Sequence, residues 1–513
     1  MIRIAKTENG LVKGLPAADP RITSFKGIPF AAPPIGENRW RPPQACSNWE
    51  GIRLAYEFAP ISVQDTPGLG DDIYCREWHV DPAIPMSEDC LYLNIWTPAK
   101  STEDALPVVI WFFGGAFQWG YTAEMEFDGE RLARRGIIVV TVNYRLNIFG
   151  FLAHPELTAE QESTPTNFGH LDQRAGLLWV IRNITNFGGD PGNITIAGQS
   201  AGGMSVMVQM TNPANAGLFQ KAIVQSALIK SPYPNSFFGS PPSLAEAEAN
   251  GIEFFRFIGV RNLTAARNLD ALYLLHRYSE YIQNHPWMMT VEDGKFCLGD
   301  PLLQYMTGKH PNVPLMTGNT PDEFVVGIMA NTETEYRNTV QQIFGERAEQ
   351  FLACAEAWTF RDNLGYAAVD SIECTAKSLL LNNQKQGGTK DCYYYIFKPD
   401  MPGWDKPGAF HSSDLWFFFE TLAKSWRPFI GHHYDLARKM CTYWANFVKT
   451  GNPNGYDQDG SPLSEWKPYA KEDPWQMIFE SEGPRSVQAP ISKFMWILME
   501  KIENTITNGK TEE

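Results

Sequence analysis

Positive charge is scarce in this 513-residue chain: 43 Lys and Arg stand against 58 Asp and Glu, a formal net charge of −15. A nucleic-acid binder needs a basic patch to displace counterions from phosphates, and an anionic bilayer asks for the same sign. Neither partner class is expected. Long apolar runs are lacking as well. The opening stretch "MIRIAKTENGLVKGLP" breaks every apolar segment with charge, so it lacks the apolar core of about 7–15 residues that a secretory leader carries. "FMWILM" at 494–499 is too short to cross a bilayer. The eight cysteines (46, 75, 90, 297, 354, 374, 392, 441) form no Cys-x-x-Cys pair, so no zinc or thioredoxin-like motif is present. The expectation is a cytoplasmic protein with free thiols, a monomer or small homo-oligomer, needing no metal and no cofactor.

Core-forming material is plentiful. Hydrophobic residues make up 43% and charged residues 20%, the balance of an ordinary globular chain. Short apolar runs bounded by turn residues recur: "LPVVIWFFGG" (106–115), "GIIVVTVNY" (136–144), "NITIAG" (193–198), "KAIVQSA" (221–227), "VPLMTGN" (313–319) and "YYYIFK" (393–398). Between them lie helix-patterned stretches such as "HLDQRAGLLWVIRNITNF" (170–187) and "SAGGMSVMVQMT" (200–211). This alternation predicts an α/β fold, a mostly parallel sheet with helices on both faces. There is no repeat and no low-complexity linker, so 1–513 reads as one domain. Residues 228–300 lose the strand rhythm and read as a helical insertion, with 301–513 completing the sheet.

The chemistry centres on "GQSAGG". Ser200 stands between Gly198 and Gly202, after the strand-like "NITIAG" and before a helical run. A serine hydroxyl is a poor nucleophile unless it is exposed at a sharp turn and given a base. Gly-x-Ser-x-Gly in a strand–turn–helix setting is the signature of such an elbow. Acyl transfer also needs backbone N–H groups aimed at the developing oxyanion. Ala201 offers one, and "FFGGAF", closing an earlier strand, offers those of Gly115 and Ala116 beside Gly114.

Taken together, "FKGIPFAAPPIGENRWRPP" (25–43), "SEDCLYLNIWTP" (87–98), "NYRLNIFGFL" (143–152), "FGGDPGNITIAGQSAGG" (187–203) and "GAFHSSDLWFFF" (408–419) resemble type-B carboxylesterases, of the carboxylesterase and cholinesterase family of the α/β-hydrolase fold. The resemblance spans nearly the whole chain. It implies helical insertions over the active site and a catalytic triad of Ser200 as nucleophile, Glu323 as acid and His411 as base. The residues alone leave Asp322 and Glu323 equal candidates and allow His411 to be a solvated loop histidine. The resemblance also implies an Arg39–Glu88 ion pair and an oxyanion hole of Gly115, Ala116 and Ala201. Phe324 replaces a usual glycine beside the acid. Ser62 stands where relatives carry the cysteine that bridges to Cys90, leaving Cys75 as the one irregular substitute, and Gln199 stands where a glutamate is common.

The function so implied is hydrolysis of carboxylic esters through an acyl-enzyme. Short-chain or aryl esters, including hydroxycinnamate (feruloyl) esters, form the leading class, and choline esters are not expected. Phe113, Phe117, Trp119, Gln199 and Phe417 are the substrate-pocket candidates, with core packing the alternative for the aromatics. The rival readings are amidase or peptidase use of the same triad and a catalytically silent binding homologue.

Overall fold

A computed structural model describes residues 1–227, 230–233, 240–323, 328, 330, 332–354, 368–385, 387–388 and 391–508. Eleven strands form the main sheet: β1 (Leu15–Pro16), β2 (Thr23–Pro29), β3 (Tyr92–Thr97), β4 (Leu106–Phe112), β5 (Ile138–Val142), β6 (Gly189–Gln199), β7 (Lys221–Gln225), β8 (Leu315–Asn319), β9 (Cys392–Phe397), β10 (Trp475–Glu480) and β11 (Gly483–Gln488). Their spatial order is β11-β10-β9-β8-β7-β6-β4-β5-β3-β2-β1. From β10 to β5 every neighbouring pair is parallel, while both margins of the sheet are antiparallel. A second small sheet pairs Ile4–Thr7, Gly10–Lys13 and Ile52–Leu54.

Strands β5 and β7 are buried along their whole length, as parallel strands covered on both faces must be. Alternation along β4 assigns the two layers: Val108, Ile110 and Phe112 enter one apolar cluster, and Val109 and Trp111 enter the other. Helices Phe168–Asn183 and Ala201–Thr211 cover the first layer near β6, and Gly431–Thr450 runs along the second. Within 228–300 the described residues hold three helices, Leu244–Phe257, Leu263–Arg267 and Ala271–Tyr281.

Arg39 joins these parts. Its Nε and one terminal nitrogen donate to the two Glu88 oxygens at 2.7 and 2.6 Å. Its other nitrogen donates to the carbonyls of Ala266, Arg267 and Leu269, so the ion pair also fastens the end of an inserted helix. Ser62 does face Cys90. The fully buried thiol is hydrogen-bonded to the Ser62 side chain, and burial pushes its pKa far up. Cys75 and Cys90 are both free cysteines. No helix among the described residues is long and apolar enough to cross a membrane.

Candidate active site

Ser200 sits where β6 turns into helix Ala201–Thr211, at φ +56° and ψ −124°. Such a backbone costs a non-glycine residue about 1–3 kcal/mol and must be over-determined by its surroundings. The surroundings are tight. A Cβ on Gly202 would lie 2.0 Å from the Phe112 carbonyl oxygen, and one on Gly198 would lie 2.3 Å from that of Gly202. Both positions require glycine through close approach, while the strain falls on the serine. The Ser200 N–H donates to the Gln225 carbonyl at 2.9 Å. Standing at the positive end of an 11-residue helix, the side chain is placed where developing negative charge is favoured.

The loop leaving β4 runs against this elbow. A Cβ on Gly114 would lie 3.2 Å from the Ser200 Cβ. Gly115, Ala116 and Phe117 follow with φ of +108°, +53° and +61°, and the Trp119 N–H folds back to the Gly115 carbonyl at 2.9 Å. Among the described residues, the N–H groups of Gly115, Ala116 and Ala201 donate to no backbone carbonyl outside regular helix or strand bonding.

On the opposite side, His411 Nδ1 contacts Glu323 Oε2 across 88 residues of chain. Glu323 Oε1 accepts the Thr320 N–H at 2.9 Å, which orients the carboxylate. Asp322 has a different task. Its Oδ2 accepts the Ala409 N–H at 2.8 Å, and its carbonyl accepts the His411 N–H at 3.1 Å, so it pins the histidine loop to the acid's turn. With Nδ1 protonated towards Glu323, Nε2 is left as an acceptor. The Gln199 amide nitrogen lies 3.1 Å from it and donates. Phe324 lies outside the described residues.

Ser200, His411, Gly115 and Ala116 share the wall of a cavity of about 660 Å³. Of the five pocket candidates, Trp119 and Gln199 line it and Phe113, Phe117 and Phe417 do not. Phe113 stacks on Tyr144 at 4.3 Å, Phe117 packs between Phe151 and His170, and Phe417 packs edge-on to Phe397 at 4.8 Å. All three are buried among core rings and take no part in the cavity wall. Further parts of the wall come from Trp78 and from Tyr74, His79, Glu124, Glu126 and Trp287, of which the last five are not reached by reading motifs. Trp78 stacks on Phe410, next to His411, with centroids 6.3 Å apart.

Behind the histidine, Asp414 is fully buried. It accepts hydrogen bonds from Tyr395 Oη at 2.7 Å and Gln225 Nε2 at 3.1 Å. Burial, opposed by the Tyr395 bond and assisted by the nearby Glu323 charge, pushes its carboxyl from the ordinary 3.8 up to about 6. Among the described residues no group of three His, Cys, Asp or Glu side chains is placed to hold a metal ion.

A doubly covered parallel sheet with a serine elbow after β6, an acid after β8 and a histidine after β9 defines an α/β-hydrolase. The model of the carboxylesterase family matches residues 2–490, and the chain belongs to that family. It is 31% identical over 481 residues to the fumonisin B1 esterase of Sphingopyxis macrogoltabida, covering 88% of this chain and 82% of that one. To the para-nitrobenzyl esterase of Bacillus subtilis it is 30% identical over 491 residues, covering 94% and 95%. Among solved structures, a carboxylesterase of Geobacillus stearothermophilus superposes with a TM-score of 0.76 at 28% identity, covering 96% of this chain and 99% of that one. The protein is a carboxylic-ester hydrolase.

Proposed function

We propose that it cleaves esters by the serine acyl-enzyme route. His411 Nε2 takes the Ser200 proton as Oγ attacks the ester carbonyl, and Glu323 holds the imidazole in the Nδ1–H form and stabilises the imidazolium. The oxyanion accepts the N–H groups of Gly115, Ala116 and Ala201. His411 then gives its proton to the leaving alkoxide, and water, activated by the same nitrogen, releases the acid. The observation that carries this reading is the convergence on one cavity wall of a strained serine, a carboxylate-bound histidine and unspent N–H donors.

Aryl esters, hydroxycinnamates among them, and short-chain esters are the proposed substrates. The flat walls offered by Trp78, Trp119 and Trp287 support an aromatic group. The inserted segment carrying Trp287 forms part of the roof, and the chain after residue 300 supplies acid and base. The Ser62–Cys90 pair supports a cytoplasmic, reducing setting, where the bridge of relatives has no use. A fluorophosphonate probe tests the assignment: it should label the parent at Ser200 and leave Ser200→Ala unlabelled. Label at another serine, such as the buried Ser226, would overturn it, and para-nitrophenyl acetate with methyl ferulate as substrates checks the class.

A further inference from the structure

The loop that carries Gly115 and Ala116, two of the proposed oxyanion donors, holds Gly115, Ala116 and Phe117 in succession at positive φ, and two of the three are not glycine. Such a path persists only where its neighbours over-determine it. The Gly115 carbonyl accepts the N–H groups of Gln118 and Trp119, both at 2.9 Å. A trans peptide is planar, so fixing that carbonyl also fixes the direction of the Ala116 N–H on the same unit. The Phe117 carbonyl accepts the Asn147 N–H at 2.7 Å. At the far end, Gln64 Oε1 accepts the Gly120 N–H at 2.9 Å and its Nε2 donates to the Gly120 carbonyl at 3.0 Å.

Between these ties lies Gln118, whose side chain is buried and takes no part in the cavity wall. Its Nε2 donates to the Met288 carbonyl at 3.0 Å and reaches the Ala116 carbonyl at 3.4 Å. Its Oε1 accepts the Tyr278 hydroxyl at 3.0 Å, and the Tyr278 oxygen in turn accepts the Met288 N–H at 2.8 Å. The direction of every bond is forced. Turning the amide over would set its oxygen against two carbonyls and its NH₂ group against the Tyr278 proton. Met288 directly follows Trp287 of the cavity wall, and Tyr278 belongs to the inserted helix Ala271–Tyr281. That inserted segment is anchored on its own account. Thr290 Oγ1 meets His170 Nε2 at 2.8 Å, and the Asn167 side chain takes the Val291 N–H at 2.9 Å and donates to its carbonyl at 2.7 Å. Gln118 therefore ties a strained loop to a fixed support.

We propose that Gln118 is a positioning residue for ester cleavage: it touches neither substrate nor reacting atoms, and it holds the Ala116 N–H in place by locking the oxyanion loop to the inserted segment 287–291 through Met288 and Tyr278. Without that lock the 115–117 backbone is free to relax from positive φ and to turn the peptide unit that carries the donor. The loss then falls on the transition state, where the oxyanion exists, and not on binding of the neutral ester. The inference rests on the acyl-enzyme reading, which gives the Ala116 N–H its task.

The test uses the full-length protein and two substitutions. Gln118→Met keeps the length of the side chain and removes its bonds to Met288, Ala116 and Tyr278, and Tyr278→Phe removes one hydroxyl from the same chain of bonds. Stopped-flow acylation by para-nitrophenyl acetate gives the first readout. The second is inhibition by 2,2,2-trifluoroacetophenone, read against acetophenone. Ser200 Oγ adds to the carbonyl carbon of the fluorinated ketone, the π pair moves to oxygen and the serine proton to His411, so its adduct carries an oxyanion that bound acetophenone lacks. Gln118→Met should lower the maximal acylation rate by about 10- to 100-fold, the range of a misplaced oxyanion donor, with the half-saturating ester concentration nearly unchanged. Affinity for the fluorinated ketone should fall by a similar factor while that for acetophenone holds. Tyr278→Phe should shift both readouts the same way by about 3- to 10-fold, and the double variant should lose little beyond Gln118→Met alone. Should Gln118→Met fail to fold, Tyr278→Phe and its ketone ratio carry the result. Unchanged acylation in both variants, equal weakening of the two ketones, or fully additive losses in the double variant would overturn the positioning role while leaving the esterase reading intact. Absence of acylation and of fluorinated-ketone inhibition in the parent, or equal turnover by Ser200→Ala, would overturn the acyl-enzyme reading instead.

Discussion

Replacing Glu323 by glutamine keeps the volume of the side chain and removes one charge, and the local geometry decides the outcome. One end of the new amide must face the Thr320 N–H, now 2.9 Å from Glu323 Oε1. Turning the NH₂ group to that side would set two donors against each other, so the amide oxygen stays there and the NH₂ group faces His411. That forces Nδ1 to become an acceptor and moves the ring proton to Nε2, the nitrogen that has to receive the serine proton. Gln199 reinforces the wrong form, since its amide, 3.1 Å from Nε2, can flip to present oxygen. The imidazolium of the transition state also loses its counter-charge in a fully enclosed site. In serine proteases the matching substitution lowers kcat about 10⁴-fold, equivalent to about 5.5 kcal/mol of transition-state stabilisation. A similar fall in kcat is expected here, with KM for para-nitrophenyl acetate nearly unchanged and Tm within about 2 °C of the parent. Stopped-flow acylation and a thermal melt measure both. Activity within tenfold of the parent, or a larger loss in Asp322→Asn than in Glu323→Gln, would refute the reasoning, because an asparagine at 322 can still accept the Ala409 N–H.

Ser62→Cys should close a bridge to Cys90 in the oxidised protein, remove two thiols from alkylation under non-reducing conditions and add about 2–4 kcal/mol of stability; unchanged thiol counts would show the two side chains to be misaligned. Asp414 should make folding stability fall as pH rises. Its folded-state carboxyl titrates near 6 rather than 3.8, so the native state holds the proton longer, and about 3 kcal/mol present below about pH 3 is lost as pH rises through 6 to about pH 7. Asp414→Asn should flatten that slope in urea titrations between the two pH values, and an unchanged slope would place the titration elsewhere. Phe417→Ala should cost about 3–5 kcal/mol of stability without altering preference among aryl esters, whereas Trp119→Ala should raise KM for them at little cost in Tm, and the reverse pattern would return Phe417 to the pocket.

Local signals survived the passage from sequence to structure, and distant ones did not. The run "VPLMTGN" contains β8, "YYYIFK" overlaps β9 at Cys392–Phe397, and "SAGGMSVMVQMT" differs from its helix by the serine alone. The strands β1, β2, β3, β10 and β11 towards the margins were not among the runs read as strands: β1 is short, β11 is half-exposed, and Lys26, Asn94 and Gln476 interrupt the apolar runs of the other three. At the site, the elbow was legible because its constraint lies within five residues. The choice between Asp322 and Glu323 was not, since what separates them is the Ala409 N–H claimed by one and the imidazole claimed by the other, both supplied from some 90 residues away. Asp414 gave no sign beyond standing three residues after His411. The aromatic candidates failed for a related reason: proximity to a motif in sequence says nothing of which side of the strand a ring takes. Phe113 and Trp119 flank the same loop, yet one enters the core and the other the cavity.

The proposed nucleophile and the proposed oxyanion donors are not positioned independently. The carbonyl of Phe112, the last residue of β4, is the atom that a Cβ on Gly202 would strike, so the helix carrying Ala201 is seated directly on the end of that strand. The same strand end launches Gly114, Gly115 and Ala116. A shift of β4 relative to β6 would therefore move donors and serine by different amounts and spoil both. The fully buried strand centres, in parallel register from Val108 with Ile194 to Phe112 with Gly198, prevent it. Rigidity of the sheet thus becomes preorganisation of the oxyanion site, where donors must wait in place before charge develops. The strain held at Ser200 is sustained by the same contacts, because relaxing its φ would require Gly202 and Phe112 to part.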